Sequence, residues 1–180
     1  SDGSIFSGHV SHKGVAGVEF STGSLGHGLS VSAGLALSAK LDNKDHRIFN
    51  LMSDGECDEG SNWEAILFAS HHKLDNLVTI VDYNKLQSIF SPKDTLNLEP
   101  FRSKWESFGW QVQEVDGHNH EELLCALKKD SSRKDMPLCI IAHTIKGKGV
   151  SFMENNNLWH YRSAQDQEYI DAKKELEEGF

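Results

Sequence analysis

Apolar stretches along the chain switch between two periods. Leu77-Val78-Thr79-Ile80-Val81 is continuous and β-branched, the pattern of a strand buried on both faces. Arg47 to Met52 and Pro137 to His143 read as further short strands, and Trp110 to Val115 alternates polar and apolar positions. Between these runs the spacing becomes helical. Leu29 to Lys40 has the small, apolar composition of a buried helix. Asn62 to Lys73 carries apolar residues at 63, 66, 67 and 69 or 70, with Ser61 or Asn62 as its N-cap. Phe101 to Phe108 puts Phe101, Trp105 and Phe108 on one face, while His120 to Lys129 turns Leu123, Leu124, Ala126 and Leu127 inward. Asp166 to Glu178 is a charged helix with an exposed pattern. Strands alternating with helices predict an α/β fold: a doubly wound, mostly parallel sheet flanked by helices. At 180 residues the chain is long enough for one domain over 1–180 and too short for two of ordinary size.

The chemistry concentrates where strands end. Leu51-Met52-Ser53-Asp54-Gly55 closes one strand, and Asp82-Tyr83-Asn84 closes the next, thirty positions after Asp54. One right-handed crossover makes such strands neighbours, so an Asp and an Asn at their carboxyl ends meet in one crevice. A hard cation such as Mg²⁺ takes one carboxylate, a few neutral oxygens, water and ligand phosphates. Upstream, Gly23-Ser24-Leu25-Gly26-His27-Gly28 opens the first helix. That turn serves either as a phosphate cradle on helical N–H groups or as a plain loop-to-helix junction. Its glycine spacing fits neither a Walker loop nor a dinucleotide fingerprint. Thr144-Ile145-Lys146-Gly147-Lys148-Gly149 adds a basic glycine loop at another strand end. Four carboxyl-end loops, 23–28, 54–60, 82–86 and 144–149, thus converge on a diphosphate held through a metal. The irregular segment Lys85 to Pro100 reads as a lid or partner-binding loop. His9 and His12 lie in an aperiodic stretch and read as exposed or ligand-contacting loop histidines.

Composition narrows the classes. A formal charge of −9 argues against broad nucleic-acid binding, which needs a basic face, and means that a phosphorylated ligand must be held by local geometry and a cation. Cys57, Cys125 and Cys139 lack CxxC spacing and read as reduced thiols in a cytoplasmic setting. No apolar run approaches the length of a membrane span. Acidic residues in a first helical turn favour the helix dipole, which accounts for Glu56 and Asp58 without further function.

Asp54-Gly55 followed by Asn84 resembles the thiamine diphosphate motif. The surrounding stretches Gly17-Val18-Glu19, Ser21 to Gly28, His71 to Leu77 and Thr144 to Asn155 resemble the amino-terminal section of split transketolases, over nearly the whole chain. The resemblance implies the thiamine diphosphate-binding fold, with Asp54, Asn84 and the carbonyl of Leu86 holding Mg²⁺ or Ca²⁺. It places His9, Gly23, Ser24, Leu25, Asp54, Gly55, Glu56, Asp82, Asn84 and His160 against thiamine diphosphate. His9, His160 and Glu59 become catalytic candidates, His160 for proton transfer at the substrate oxygen, and Glu59 and Glu64 belong to a network spanning a dimer. The implied reaction moves a two-carbon ketol unit from a ketose or its phosphate to an aldose, and Lys146, Lys148 and Arg162 are candidates to meet sugar phosphates. A related transferase acting on an unusual or nucleotide-linked sugar, and a non-catalytic paralogue, are the alternatives.

Ser53 stands where the family usually has glycine, and Val10 where proline follows the histidine. The family also has a helical segment ahead of residue 1, with additional histidines, so part of the amino-terminal region is expected to be missing. Nothing here resembles the pyrimidine-binding domain, whose glutamate activates the cofactor. A separate carboxy-terminal subunit is therefore expected, two copies of each chain forming a heterotetramer, with this chain inactive alone.

Overall fold

Side-chain alternation along four strands decides how two helical layers attach to one sheet. The computed structural model describes residues 4–6, 8–86, 95–128 and 134–179. Strands β1 (Ile48–Ser53), β2 (Leu77–Tyr83), β3 (Gln111–Asp116) and β4 (Leu138–His143) are all parallel, in the order β1-β2-β4-β3. Helices α1 (Gly28–Leu41), α2 (Gly60–His71), α3 (Phe101–Ser107), α4 (His120–Leu127) and α5 (Asp166–Glu178) accompany them. The expected α/β parallel sheet is therefore present, with β1 and β2 as immediate neighbours.

Alternate residues of β2, β3 and β4 enter different cores, whereas β1 gives Met52 to one of them and leaves Phe49 and Leu51 exposed. Met52, Leu77, Val81, Tyr83, Val112, Cys139 and Ile141 join Leu29, Ile66, Trp105 and Trp110 in the larger cluster, beneath α1, α2 and α3. Val78, Val115, Leu138, Ile140 and Ala142 pack with Ala126 of α4 in the smaller one. β2 and β4 lie inside the sheet, which explains their continuous apolar runs. Fully burying a side chain such as Ile66 contributes about 1.5–3 kcal/mol.

Three local expectations are corrected. Neither Ser61 nor Asn62 caps α2; Glu59 occupies the N-cap, and both polar side chains are drawn to carbonyls outside the helix. Leu67 and Leu124 point outward, 59% and 63% exposed, because the packed stripes run through Ala65, Ile66 and Ala69 in α2 and through Leu123, Ala126 and Leu127 in α4. The Gly23–Gly28 turn does not follow a strand among the described residues; it precedes α1 and reaches the carboxyl edge through side-chain bonds described below. Element ends otherwise shift by one or two positions. Half of the segment expected as a lid, 87–94, and the end of the helix expected over 120–129 lie outside the described residues. Among the described residues no helix is long and apolar enough to cross a membrane.

Candidate active site at the carboxyl ends of the strands

Asp54 follows the last residue of β1, and parallel pairing sets its height. Ser53 stands opposite Asp82 in the ladder, and the Asp54 N–H donates to the Asp82 carbonyl at 3.1 Å. Asp54 is 1% exposed. Its Oδ1 accepts the Gly55 N–H and its Oδ2 the Lys85 N–H, both at 2.8 Å. Burial pushes its carboxyl up to about 6, with the charges of Asp82 and Asp58 adding to the rise and the two backbone bonds opposing it. Each oxygen retains a lone pair beyond its N–H bond. A buried carboxylate met by neutral backbone donors is suited to a cation.

Asn84 completes the donor set from the end of β2. Its Nδ2 donates to Asp82 Oδ1 at 3.2 Å, and its Oδ1 accepts the Leu86 N–H at 2.9 Å. Those two bonds decide which way the amide faces. Asp82 Oδ1 also accepts the Thr144 hydroxyl, so one carboxylate joins the ends of β2 and β4. The structure thus brings Asp54, Asp82, Asn84 and Leu86 together. A carboxylate, an amide oxygen and a backbone carbonyl are hard oxygen donors, which fit Mg²⁺ or Ca²⁺.

The glycine turn is pinned to the same edge. Gly26, with φ +83°, donates its N–H to Glu56 Oε1 at 3.0 Å, and its carbonyl accepts the Ser61 hydroxyl at 2.8 Å. A Cβ on Gly26 would stand 2.5 Å from Ser61 Oγ and 2.8 Å from Glu59 Cβ. Glu56 and Ser61 sit in and just after the 3₁₀ turn Gly55–Asp58, which Asp54 caps. Asn62 donates to the Glu56 carbonyl and Trp63 to that of Cys57, clamping this turn onto α2. His9 packs on Gly23, where a Cβ would meet the ring at 2.6 Å, and Thr22 N–H bonds the Val10 carbonyl. Ser24 and Leu25 are exposed at the tip.

The loop after β4 carries the remaining candidates. Lys146 Nζ lies 3.2 Å from His160 Nδ1, and burial, with the lysine charge behind it, holds that imidazole below its ordinary pKa. His160 belongs to a 3₁₀ turn, Asn157–His160, rather than open loop. Lys148 pairs with Glu154 and Arg162 with Glu168, so both of these cations already have carboxylate partners. Glu59 and Glu64 are exposed at the start of α2, and no described bond draws them toward Asp54. Strand and glycine patterns did not single out His118, whose ring reaches the Ile145 N–H, nor the pinning of Gly26 by Glu56 and Ser61. An Asp-Gly-His turn at a strand's carboxyl end was the available signal for the first; the others are long-range bonds without one.

Comparison with known proteins follows the same outline. Residues 2–179 match the family model "Transketolase, thiamine diphosphate binding domain". An apulose-4-phosphate transketolase subunit from Phocaeicola vulgatus is 42% identical over 176 residues, 98% of this chain and 62% of that protein. The 6-deoxy-6-sulfo-D-fructose transketolase subunit SqwG of a Clostridium species is 38% identical over 175 residues, 97% of this chain and 64% of that protein. The crystal structure of transketolase from Campylobacter jejuni superposes with a TM-score of 0.82 at 32% identity, covering 89% of this chain and 26% of that one. The chain thus spans less than two thirds of the length of these curated relatives.

Proposed function

Because the chain belongs to the transketolase family, through its thiamine diphosphate-binding domain, we propose that it works as the cofactor-binding subunit of a two-component transketolase. The reaction is transfer of a two-carbon ketol unit from a ketose or ketose phosphate to an aldose, with thiamine diphosphate and Mg²⁺ as the cofactors this chain would hold. The observation that carries the reading is the buried Asp54 carboxylate, met by the N–H groups of Gly55 and Lys85, beside an Asn84 amide whose orientation Asp82 fixes.

In this reading Asp54, the Asn84 Oδ1 and the Leu86 carbonyl hold the metal, and the turn from Gly23 to Leu25, with Gly55 and His9, lies against the cofactor. Thiamine diphosphate held there would supply the electron sink needed to break and make the carbon–carbon bond. The chain's own residues position it and handle protons. Glu56 holds Gly26 so that the turn keeps its shape. His160, biased toward its neutral form by burial and by Lys146, is able to accept a proton at the substrate oxygen. Glu59 and Glu64 face outward to a second copy, and a separate pyrimidine-domain subunit supplies the glutamate that activates the cofactor. The setting is a reducing cytoplasm, consistent with free Cys57, Cys125 and Cys139.

Two relatives are named for an apulose phosphate and a sulfo-sugar. They favour an acceptor or donor outside the common pentose and hexose phosphates. Calorimetry of the protein with thiamine diphosphate and Mg²⁺, with and without a pyrimidine-domain partner, tests the assignment. Metal-dependent binding followed by ketol transfer only in the assembled complex is expected. Ketol transfer by this chain alone overturns the two-component reading, and no binding in the assembled complex leaves a non-catalytic paralogue.

A further inference from the structure

We propose that His118 is a positioning residue: its imidazole replaces a missing rung of the sheet and holds the loop that carries Lys146. Pairing of β3 with β4 ends with Asp116 opposite His143, and the Gly117 N–H donates to the His143 carbonyl at 2.8 Å. In a parallel ladder the next rung would run from the Ile145 N–H to the Gly117 carbonyl. Here the chain turns away, the Asn119 N–H bonding the Asp116 carbonyl, and His118 Nε2 accepts the Ile145 N–H at 2.8 Å. An accepting Nε2 places the ring proton on Nδ1.

The turn cannot drift from this position cheaply. A Cβ on Gly117 would lie 2.4 Å from Thr144 Cγ2 and 3.1 Å from the His143 carbonyl oxygen, so the two backbones are in close approach. Asp116 Oδ1 accepts the His118 backbone N–H at 2.8 Å and the Asn119 side chain caps α4, fixing the direction from which the ring extends. Ile145 immediately precedes Lys146, whose ammonium meets His160. The Thr144 hydroxyl bonds Asp82 on the other side of the loop. His118 and Asp82 therefore grip consecutive residues, Ile145 and Thr144, from the two strands flanking β4.

The functional half of this inference rests on the cofactor-binding reading above, so two readouts are needed. Amide hydrogen exchange at Ile145 requires no cofactor, and thiamine diphosphate affinity is measured with the assembled enzyme. His118→Leu is expected to speed Ile145 exchange about 3–10-fold, the range of one net hydrogen bond, and to weaken cofactor affinity. His118→Gln keeps an acceptor at the same reach. It should preserve both readouts, which a merely space-filling role of the ring would not predict. Unchanged Ile145 exchange in His118→Leu overturns the latch. Faster exchange with unmoved cofactor affinity overturns the positioning role. Failure of the wild type to bind cofactor at all is a separate result, against the proposed function and not against the latch.

Discussion

Asp54 and Lys85 are thirty-one positions apart, yet the carboxylate of the first accepts the backbone N–H of the second at 2.8 Å. One crossover from β1 through α2 to β2 closes that gap. The bond shows how the fold presents a carboxylate at the strand ends: backbone donors orient it, and its charge remains uncompensated by them.

That arrangement has a pH signature in the metal-free protein. Burial raises the Asp54 carboxyl from 3.8 to about 6. The folded chain then binds more protons than the unfolded one across this window, so the favourable contribution is complete below about pH 3.8 and is lost as pH rises through about 6. A shift of this size corresponds to about 3 kcal/mol. Urea denaturation of the metal-free chain should show that decline on top of the other carboxylates. Asp54→Asn should flatten it and match or exceed wild-type stability at neutral pH, although one of the two N–H bonds is lost. The same substitution should abolish stabilisation by Mg²⁺ with thiamine diphosphate.

Much of this was legible in the residues alone. Continuous apolar runs identified the interior strands β2 and β4, and the step from Asp54 to Asn84 identified two adjacent carboxyl ends. The bonds that shape the crevice were not. Ser61 and Asn62 have the composition of N-caps, but a helix start offers such residues several carbonyls, and only the tertiary approach of Gly26 and of the 55–58 turn selects among them. Leu124 is apolar and lies within a helix, yet it sits off the stripe of Leu123, Ala126 and Leu127 that meets the sheet. No local pattern specifies the partner of His118, a backbone N–H twenty-seven positions away.

Two glycines should respond to the same substitution with opposite sign. Gly26 combines φ +83° with Ser61 and Glu59 inside the volume a Cβ would occupy. Gly26→Ala is expected to cost about 1–3 kcal/mol and to weaken cofactor binding. Gly34 lies within α1 with nothing within 4 Å of its would-be Cβ. Gly34→Ala should therefore stabilise by about 0.5–1 kcal/mol. Thermal denaturation of both variants checks the pair, and equal effects would contradict the packing around Gly26.

Asp82 binds Asn84 and Thr144 through one oxygen. Asp82→Ala frees the Asn84 amide to rotate and unties the end of β2 from that of β4. A partner that orients a metal ligand is typically worth about 10–100-fold in metal affinity. Titration of Mg²⁺ at saturating thiamine diphosphate should show a loss in that range. Thr144→Val tests the second bond separately and should leave the Asn84 orientation, and most of the metal affinity, intact.

Lys146 and His160 make the last test independent of metal. Burial is the larger cause holding the imidazole below its ordinary pKa, and the ammonium 3.2 Å from Nδ1 is the smaller one. Lys146→Met removes the second cause and leaves the first, so His160 should titrate at higher pH than in the wild type while remaining below an unburied histidine. Histidine ring resonances followed by NMR across pH 5–8 report this directly. In the assembled enzyme, the acid limb of kcat should move to higher pH by the same amount if His160 accepts the proton from substrate. A shifted imidazole with an unmoved acid limb would assign that proton to another group.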